Sequence, residues 1–256
     1  MLLSPKYPVA FLALTLGLGS CSVYAPMLPA TPQLRDKGQA EVQATSFLNG
    51  RWEGAATYSP LKYTLVRAAG GFKTDNQDTT YFRVRQYEVG LGGYYPIGGH
   101  WLVSGLGGYG QARSNRGYFQ PQFFVGESYL VDFKANYHRY FGEVSASYYN
   151  SWLSTGIAYR LSKVRFNSLT YNGQPLPLSG MTRIEPMLFI RVGGGQGRMR
   201  WLQVQSSIGI TGVPNSDLDP NSTDPYEFEY SRLRESRPFL ALSLIFYPHE
   251  LLKPKQ

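Results

Sequence analysis

Cysteine, long apolar runs and charged residues are all scarce in this chain. The 256 residues include one cysteine, so no disulfide can form within the chain. After that cysteine no segment holds 18 consecutive apolar residues, so a membrane-spanning structure would have to be a closed β-barrel. The three histidines form no pair at metal-ligand spacing, and we therefore expect no metal and no other cofactor.

The N-terminal segment predicts export. Lys6 precedes a short apolar run at 9–17, which is typical of a secretory signal and too short to span a bilayer as a helix. The run leads into Leu18-Gly19-Ser20-Cys21, which resembles the lipobox of bacterial lipoproteins. The resemblance implies cleavage before Cys21 and acylation of that residue. The alternative is an ordinary signal peptide that is cut a few residues later, after Ala25.

The composition favours a β protein with a membrane-facing surface. Charged residues make up 16% of the chain, below the roughly 25% of soluble domains, whereas tyrosine occurs 20 times and glycine 28 times. The net charge is +8. In an exported protein this excess indicates attraction to anionic lipid headgroups or acidic glycans, and we do not expect nucleic acid as a partner.

Alternation of apolar and polar residues predicts about ten strands. The clearest strand is 182–192, where Ile184, Leu188 and Ile190 share one face while Arg183 and Glu185 lie on the other. The other predicted strands are 40–48, 51–58, 63–72, 80–95, 101–112, 138–149, 153–162, 202–211 and 240–246. We therefore predict an all-β fold, an antiparallel up-and-down transmembrane β-barrel.

The predicted connections alternate in length, as in outer-membrane barrels with short periplasmic turns and longer outer loops. The longer segments are 73–79, 113–137, 170–180 and 213–236. An even strand number places both ends of the barrel on the periplasmic side, which agrees with a lipid anchor at Cys21 in the inner leaflet. Four aromatic residues follow short turns and are predicted to lie at the membrane interface: Tyr63, Trp101, Trp152 and Trp201.

Four segments follow from these patterns: a signal peptide (1–20), a Pro-rich tether (21–38), the β-barrel (39–249) and a C-terminal tail (250–256). Three prolines interrupt the second segment, so we predict a semi-extended spacer that holds the fold off its anchor. A soluble β-sandwich on a lipid tether is the alternative fold, because it also alternates apolar and polar faces.

The strand face opposite to the lipid carries charges of both signs. Isolated charges in a narrow lumen are costly to desolvate, so we predict that these residues pair in a structural network that plugs the barrel. A narrow polar conduit is the alternative. The predicted network consists of Glu53, Glu88, Glu143, Glu185, Arg160, Arg183 and Arg191.

His138 is the histidine that comes nearest to the outer rim, with Asp132 six positions before it. A histidine and a carboxylate at a rim could activate water, which is the basis of an enzyme hypothesis. The neighbouring residues Tyr137 and Tyr140 favour a hydrogen-bonding role at the interface instead. We therefore predict no catalytic residue.

The whole chain resembles the outer-membrane β-barrel lipoproteins of Gram-negative bacteria. The resemblance implies an outer-membrane location and a lipid anchor, and no reaction. We expect a non-enzymatic structural or interaction component of the cell envelope, with membrane lipid as a partner and an outer-membrane protein as a candidate partner. The alternatives are a narrow channel for small solutes and, third, an enzyme that acts on lipid or peptide.

Overall fold

A computed structural model describes residues 23–76, 80–120, 129–194, 199–214 and 226–251 of the chain. The predicted signal peptide (1–20) and Cys21 lie outside the described residues. Among the described residues, no helix is both long and apolar enough to cross a membrane.

Strands dominate the described residues. Two short helices, α1 (Glu227–Arg234) and α2 (Pro248–Leu251), flank the last strand. The strands are β1 (Ala40–Phe47), β2 (Trp52–Tyr58), β3 (Thr64–Asn76), β4 (Tyr81–Ile97), β5 (Trp101–Gln120), β6 (Tyr129–Tyr149), β7 (Leu153–Tyr171), β8 (Gln174–Pro175), β9 (Gly180–Gly193), β10 (Leu202–Thr211) and β11 (Arg237–Phe246).

The described strands close into an antiparallel ring. Each of β1 to β7 pairs with the next, β7 pairs with β9, and β9, β10 and β11 lead back to β1. The two-residue strand β8 only adds to the end of β7. The prediction of a closed antiparallel barrel of ten strands is confirmed. Closure satisfies the backbone of every barrel strand on both sides and leaves no free edge.

The two ends of the barrel differ. We call the end with the β2–β3, β4–β5 and β6–β7 connections the turn end, and the opposite end, where α1 lies, the loop end. Strands β1, β2, β10 and β11 have 7 to 10 residues, whereas β4 to β7 have 17 to 21. One side of the barrel therefore extends well beyond the other at the loop end.

This extension corrects one sequence prediction. The segment 113–137 was predicted as a long loop, but β5 continues to Gln120 and β6 begins at Tyr129. In the extension the apolar side chains Val131, Phe133 and Ala135 point inward and polar ones point outward. A lipid-facing strand has apolar residues outward and polar residues inward, and the extension has the opposite arrangement. Its alternation therefore did not predict a membrane strand.

The interior of the extension forms the largest apolar cluster of the described residues. Val131 and Phe133 of β6 pack there with Tyr230 and Leu233 of α1. Val23, near the N-terminus of the described chain, belongs to the same cluster. Helix α1, which lies in a segment predicted as loop, therefore covers the loop end of the barrel.

Candidate functional site in the barrel lumen

The lumen contains a stretch of the chain itself. Residues 23–35, here called the luminal segment, run from the apolar cluster at the loop end to the turn end, where Arg35 Nη1 donates a hydrogen bond to the carbonyl of Gly99 (3.2 Å). Val23, Met27 and Leu34 are 0% exposed. At about 3.1 Å per residue, an extended stretch of this length covers about 37 Å, enough to traverse a barrel.

The luminal segment corrects the predicted tether. Residues 21–38 were predicted as a spacer outside the fold, but residues 23–34 lie almost entirely buried within it. The expected position of the chain ends is corrected as well. Ala40 begins β1 at the turn end as predicted, yet the preceding chain leads back to the loop end.

Proline spacing explains why this segment stays extended. Pro26, Pro29 and Pro32 recur at every third residue, which suits the polyproline II conformation and removes three backbone N–H groups. The closed barrel offers no free strand edge with which the segment could pair. Eight strands are already filled by their own side chains, so ten strands leave space that an additional extended chain can occupy.

Carboxylates of the barrel wall accept hydrogen bonds from the segment's backbone. The Leu28 N–H is 3.2 Å from both carboxylate oxygens of Glu53, and the Ala30 N–H lies 3.2 Å from Oε1 of Glu143. Buried backbone groups without partners are costly, so these contacts remove a penalty that an extended chain in a lumen would otherwise carry.

Guanidinium groups of the wall donate to the carbonyls of the same segment. Arg67 Nη2 lies 3.1 Å from the Leu28 carbonyl oxygen, and Arg191 Nη2 lies 2.8 Å from that of Thr31. Acidic residues of the wall thus accept hydrogen bonds from the N–H groups of the segment, and basic residues donate hydrogen bonds to its C=O groups. The wall replaces the ladder that a neighbouring strand would provide.

The wall charges also pair with one another. Arg160 contacts Glu143 (Nε to Oε2, 2.6 Å) and Glu88 (Nη1 to Oε2, 3.1 Å), while Arg67 and Arg139 bind Glu88 from other directions. These side chains are 0 to 3% exposed. Charges buried to this degree require partners of opposite charge, and each of these side chains has an ion pair within the group.

A second group of contacts closes the turn end. Arg191 Nη1 lies 3.0 Å from Oε2 of Glu41 and 2.6 Å from the hydroxyl of Tyr247, and Arg191 Nε donates to Gln205 (2.9 Å). Burial raises the pKa of Tyr247, which follows β11, so its phenol stays protonated and donates to Glu41 (3.0 Å). Tyr247 thereby connects the end of β11 to the charged residues of the barrel wall.

A third group holds the loop end. Arg183 donates to the carbonyl oxygen of Leu233 in the last turn of helix α1. It also donates to the carbonyl oxygen of Glu235 (3.1 Å), which follows the helix. The hydroxyl of Tyr24 donates to Oε1 of Glu185 (2.7 Å). The helix that covers the barrel and the start of the luminal segment are thus both attached to β9.

The structure places all seven predicted lumen residues on the inner face of the barrel. It brings Glu88, Glu143 and Arg160 into direct contact and attaches the others to the luminal segment, its neighbours or α1. Sequence reasoning missed three further members, although each shares the inward parity of its strand: Glu41, Arg67 and Arg139. The luminal segment was missed because proline spacing was interpreted as a linker.

The four predicted interface aromatics all lie at the turn end. Tyr63, Trp101 and Trp152 are 43%, 50% and 58% exposed, and Trp201 is half-buried against Phe246. Exposed aromatic rings near one end of a barrel are typical of a membrane interface.

His138 and Asp132 do not form a pair. Both face outward from β6 and are six positions apart, about 20 Å along a strand. His138 Nδ1 contacts Oδ1 of Asn167 (2.7 Å), and Asp132 accepts from the hydroxyl of Tyr81 (2.5 Å). Within the described ranges, no three metal-ligating side chains come together.

Comparison with solved structures finds barrels of low similarity. The translocator domain of the autotransporter NalP from Neisseria meningitidis has 9% identity and a TM-score of 0.38 over 94% of both chains. The CymD monoaromatic hydrocarbon channel has 8% identity and a TM-score of 0.33, covering 83% of this chain and 88% of its own. OmpT of Vibrio cholerae has 8% identity and a TM-score of 0.20 over 82% and 95%.

Identities below 10% and TM-scores below 0.4 carry no argument about what this chain does. No protein-family model matches the sequence, and the comparison with curated proteins finds no match. The pairing of the described strands shows a closed antiparallel β-barrel, and the comparisons add no role to this fold.

Proposed function

We propose that the protein is a lipid-anchored barrel of a Gram-negative outer membrane, without enzymatic activity, that serves as a structural or interaction component of the cell envelope. The observation that carries this proposal is the occupied lumen. Among the described residues, the chain's own luminal segment occupies the lumen and α1 covers its loop end, which leaves little room for a solute to pass.

The outer surface supports the membrane location. On β4 the outward side chains from Tyr87 to Ile97 include Val89 and Leu91, which are 54% and 63% exposed. Ten residues span about 34 Å along a strand, or about 25 Å across a membrane at the usual strand tilt. Similar apolar side chains cover β9 and β11, among them Leu188 and Leu242. A soluble barrel would not present so continuous an apolar exterior to water.

The alternative of a narrow channel is not favoured by the lumen. The luminal segment binds Glu53, Glu143 and Arg191, so solute passage would require breaking buried charge-assisted hydrogen bonds. Helix α1 adds a second obstruction at the loop end.

The lipid anchor at Cys21 remains part of the proposal. The supporting feature is the lipobox resemblance of Leu18-Gly19-Ser20-Cys21. Cys21 precedes Val23 by two residues, at most about 7 Å of chain, and Val23 lies at the loop end. The described residue nearest to the proposed anchor, Val23, thus lies at the loop end of the barrel, whereas the sequence alone suggested an anchor at the turn end. Mass spectrometry of the mature N-terminal peptide would detect acylated Cys21 or, alternatively, a chain that begins after Ala25.

Electrophoresis without boiling tests the barrel, and conductance tests the closed lumen. We expect the detergent-extracted protein to migrate faster in cold SDS than after heating, and to give no conductance steps in planar bilayers. Replacing residues 23–34 by a Gly/Ser linker of equal length should retain the shift and produce steps. Equal conductance of the wild type and this variant would favour the channel. Absence of a shift in the wild type would favour a soluble β domain.

A further inference from the structure

Four basic side chains share one outward patch of the barrel. We call Arg85, Arg113, Lys163 and Arg165 the basic patch; all four are exposed, and they belong to β4, β5 and β7, with β6 between the last two. We infer that the basic patch binds the phosphate groups of membrane lipid headgroups at the loop end of the apolar band. The inference rests on the proposed membrane location and adds a ligand class to it.

Register defines where the patch lies relative to the apolar band. Lys163 pairs with Tyr140, which pairs with Tyr109, which pairs with Val89 at the upper part of the band on β4. Arg165 lies one outward position further along, paired with His138. Lys163 and Arg165 are thus level with the last two outward residues of the band on β4, Val89 and Tyr87, and Arg85 and Arg113 lie one outward position beyond Tyr87. Basic side chains at the margin of an apolar band are at the depth expected for lipid headgroups.

The two arginines of β4 and β5 are directly opposite each other. Arg85 and Arg113 are register partners on the same outward face, an arrangement in which like charges repel. Among the described residues, no member of the basic patch has a hydrogen bond or ion pair with another side chain. An anion between these two guanidinium groups would remove the repulsion and supply the missing acceptors.

Other outward charges of the same extension differ in this respect. Arg83 Nε donates to Oδ1 of Asn76 (2.7 Å), and Lys134 Nζ lies 3.1 Å from Oδ2 of Asp132. These cations lie one outward position beyond the level of Arg85, further from the apolar band. The basic side chains nearest the membrane are therefore the ones without protein partners, as expected if lipid supplies the anion.

Aromatic and amide groups fill the space between the two halves of the patch. The hydroxyl of Tyr87 donates to Gln111 (2.8 Å), Gln111 donates to the hydroxyl of Tyr109 (2.7 Å), and the rings of Tyr109 and Tyr140 are 5.3 Å apart. This network joins three adjacent strands of the wall, which together are about 14 Å wide. A bis-phosphorylated glycolipid headgroup fits such a surface with one phosphate at each basic pair.

Native mass spectrometry of the detergent-solubilised full chain with lipid A provides the test. We expect the wild type to retain lipid A at least about tenfold more tightly than the same lipid after removal of its phosphates. The double variants Arg85→Gln with Arg113→Gln and Lys163→Gln with Arg165→Gln should each lose about tenfold in affinity. The control, Lys37→Gln with Lys62→Gln, removes two exposed charges at the turn end and should bind as the wild type does.

Equal binding of the dephosphorylated lipid, or wild-type affinity in both double variants, would overturn the inference. The dephosphorylated lipid needs no variant, so this comparison decides even if a substitution impairs folding. Complete displacement by millimolar inorganic phosphate would assign the patch to free phosphate and contradict a lipid site. A cold-SDS shift measured in parallel separates the two proposals: a shift without phosphate-dependent binding refutes only the lipid site, and no shift refutes the membrane barrel.

Discussion

The inner and outer faces of the barrel wall are made by the same strands and differ in every chemical respect. On β9 the inward positions hold Arg183, Glu185 and Arg191, which are 0 to 1% exposed, while the outward residues Leu188 and Ile190 are 58% and 55% exposed. A soluble protein places these two classes the other way round. The comparison indicates that the apolar solvent lies outside this protein and that its polar core is inside.

The side chains of the inner face are polar and yet buried. Its charges are buried because the luminal segment and α1 fill the space that water would occupy in an open barrel. The inner face therefore depends on mutual pairing, whereas the outer face, under the proposed membrane location, depends on the surrounding lipid. Substitutions on the two faces should accordingly fail for different reasons.

The largest effect is expected from unpairing an inner charge. Arg160→Met leaves Glu143 without its arginine partner, and removal of one partner of a buried pair costs about 3 to 5 kcal/mol. The free energy of unfolding in denaturant, followed by tryptophan fluorescence in lipid vesicles, measures the loss. The matched variant Leu161→Met lies on the outer face of the same strand and should change it by less than about 0.5 kcal/mol. Equal effects of both variants would remove the distinction between the faces.

The reverse substitution on the outer face should cost slightly less. Leu188→Arg introduces a charge near the middle of the apolar band, and arginine at that depth costs about 2 to 4 kcal/mol. The same measurement in vesicles tests this loss, with Leu188→Met as the control for shape. A variant that is as stable as the wild type would indicate that this face contacts water.

Glycines on the two faces offer a smaller comparison. A Cβ at inward-facing Gly92 would lie 2.0 Å from the carbonyl oxygen of Gly105, whereas one at outward-facing Gly142 would meet no atom within 4 Å. We expect Gly92→Ala to destabilise the barrel by about 1 to 3 kcal/mol, because the wall has to move. Gly142→Ala should be close to neutral. The midpoint of the cold-SDS shift on heating reports both.

The smallest effect concerns a neutral inner hydrogen bond. Thr45 Oγ1 and Ser243 Oγ are 2.9 Å apart and both are buried. Thr45→Val should lower the free energy of unfolding by about 1 kcal/mol. The neighbouring outward variant Ala44→Val adds apolar surface toward lipid and should be neutral or slightly stabilising. A loss above 3 kcal/mol for Thr45→Val would contradict the view that charged pairs dominate the interior.

The strands of the barrel wall could be predicted from the sequence, whereas the segment that fills the lumen could not. Strict alternation predicted the faces of β9, β10 and β11, because a strand that contacts lipid on one side has a period of two. The extension of β5 and β6 was missed because its inward residues are apolar and its outward residues polar. The luminal segment was missed for another reason. Proline spacing alone does not distinguish a linker from an extended chain in a cavity, although its apolar residues Val23, Met27 and Leu34 were a signal of burial.

Cross-linking of the luminal segment to the inner face tests the central claim most directly. Gln33 Nε2 lies 3.0 Å from the hydroxyl oxygen of Ser147, which faces inward, while Ala146 beside it faces outward. In a Cys21→Ser background, we predict that a short thiol cross-linker joins Gln33→Cys to Ser147→Cys and fails to join Gln33→Cys to Ala146→Cys. Absence of cross-linking for the inward pair, or equal cross-linking of both pairs, would contradict a segment inside the barrel.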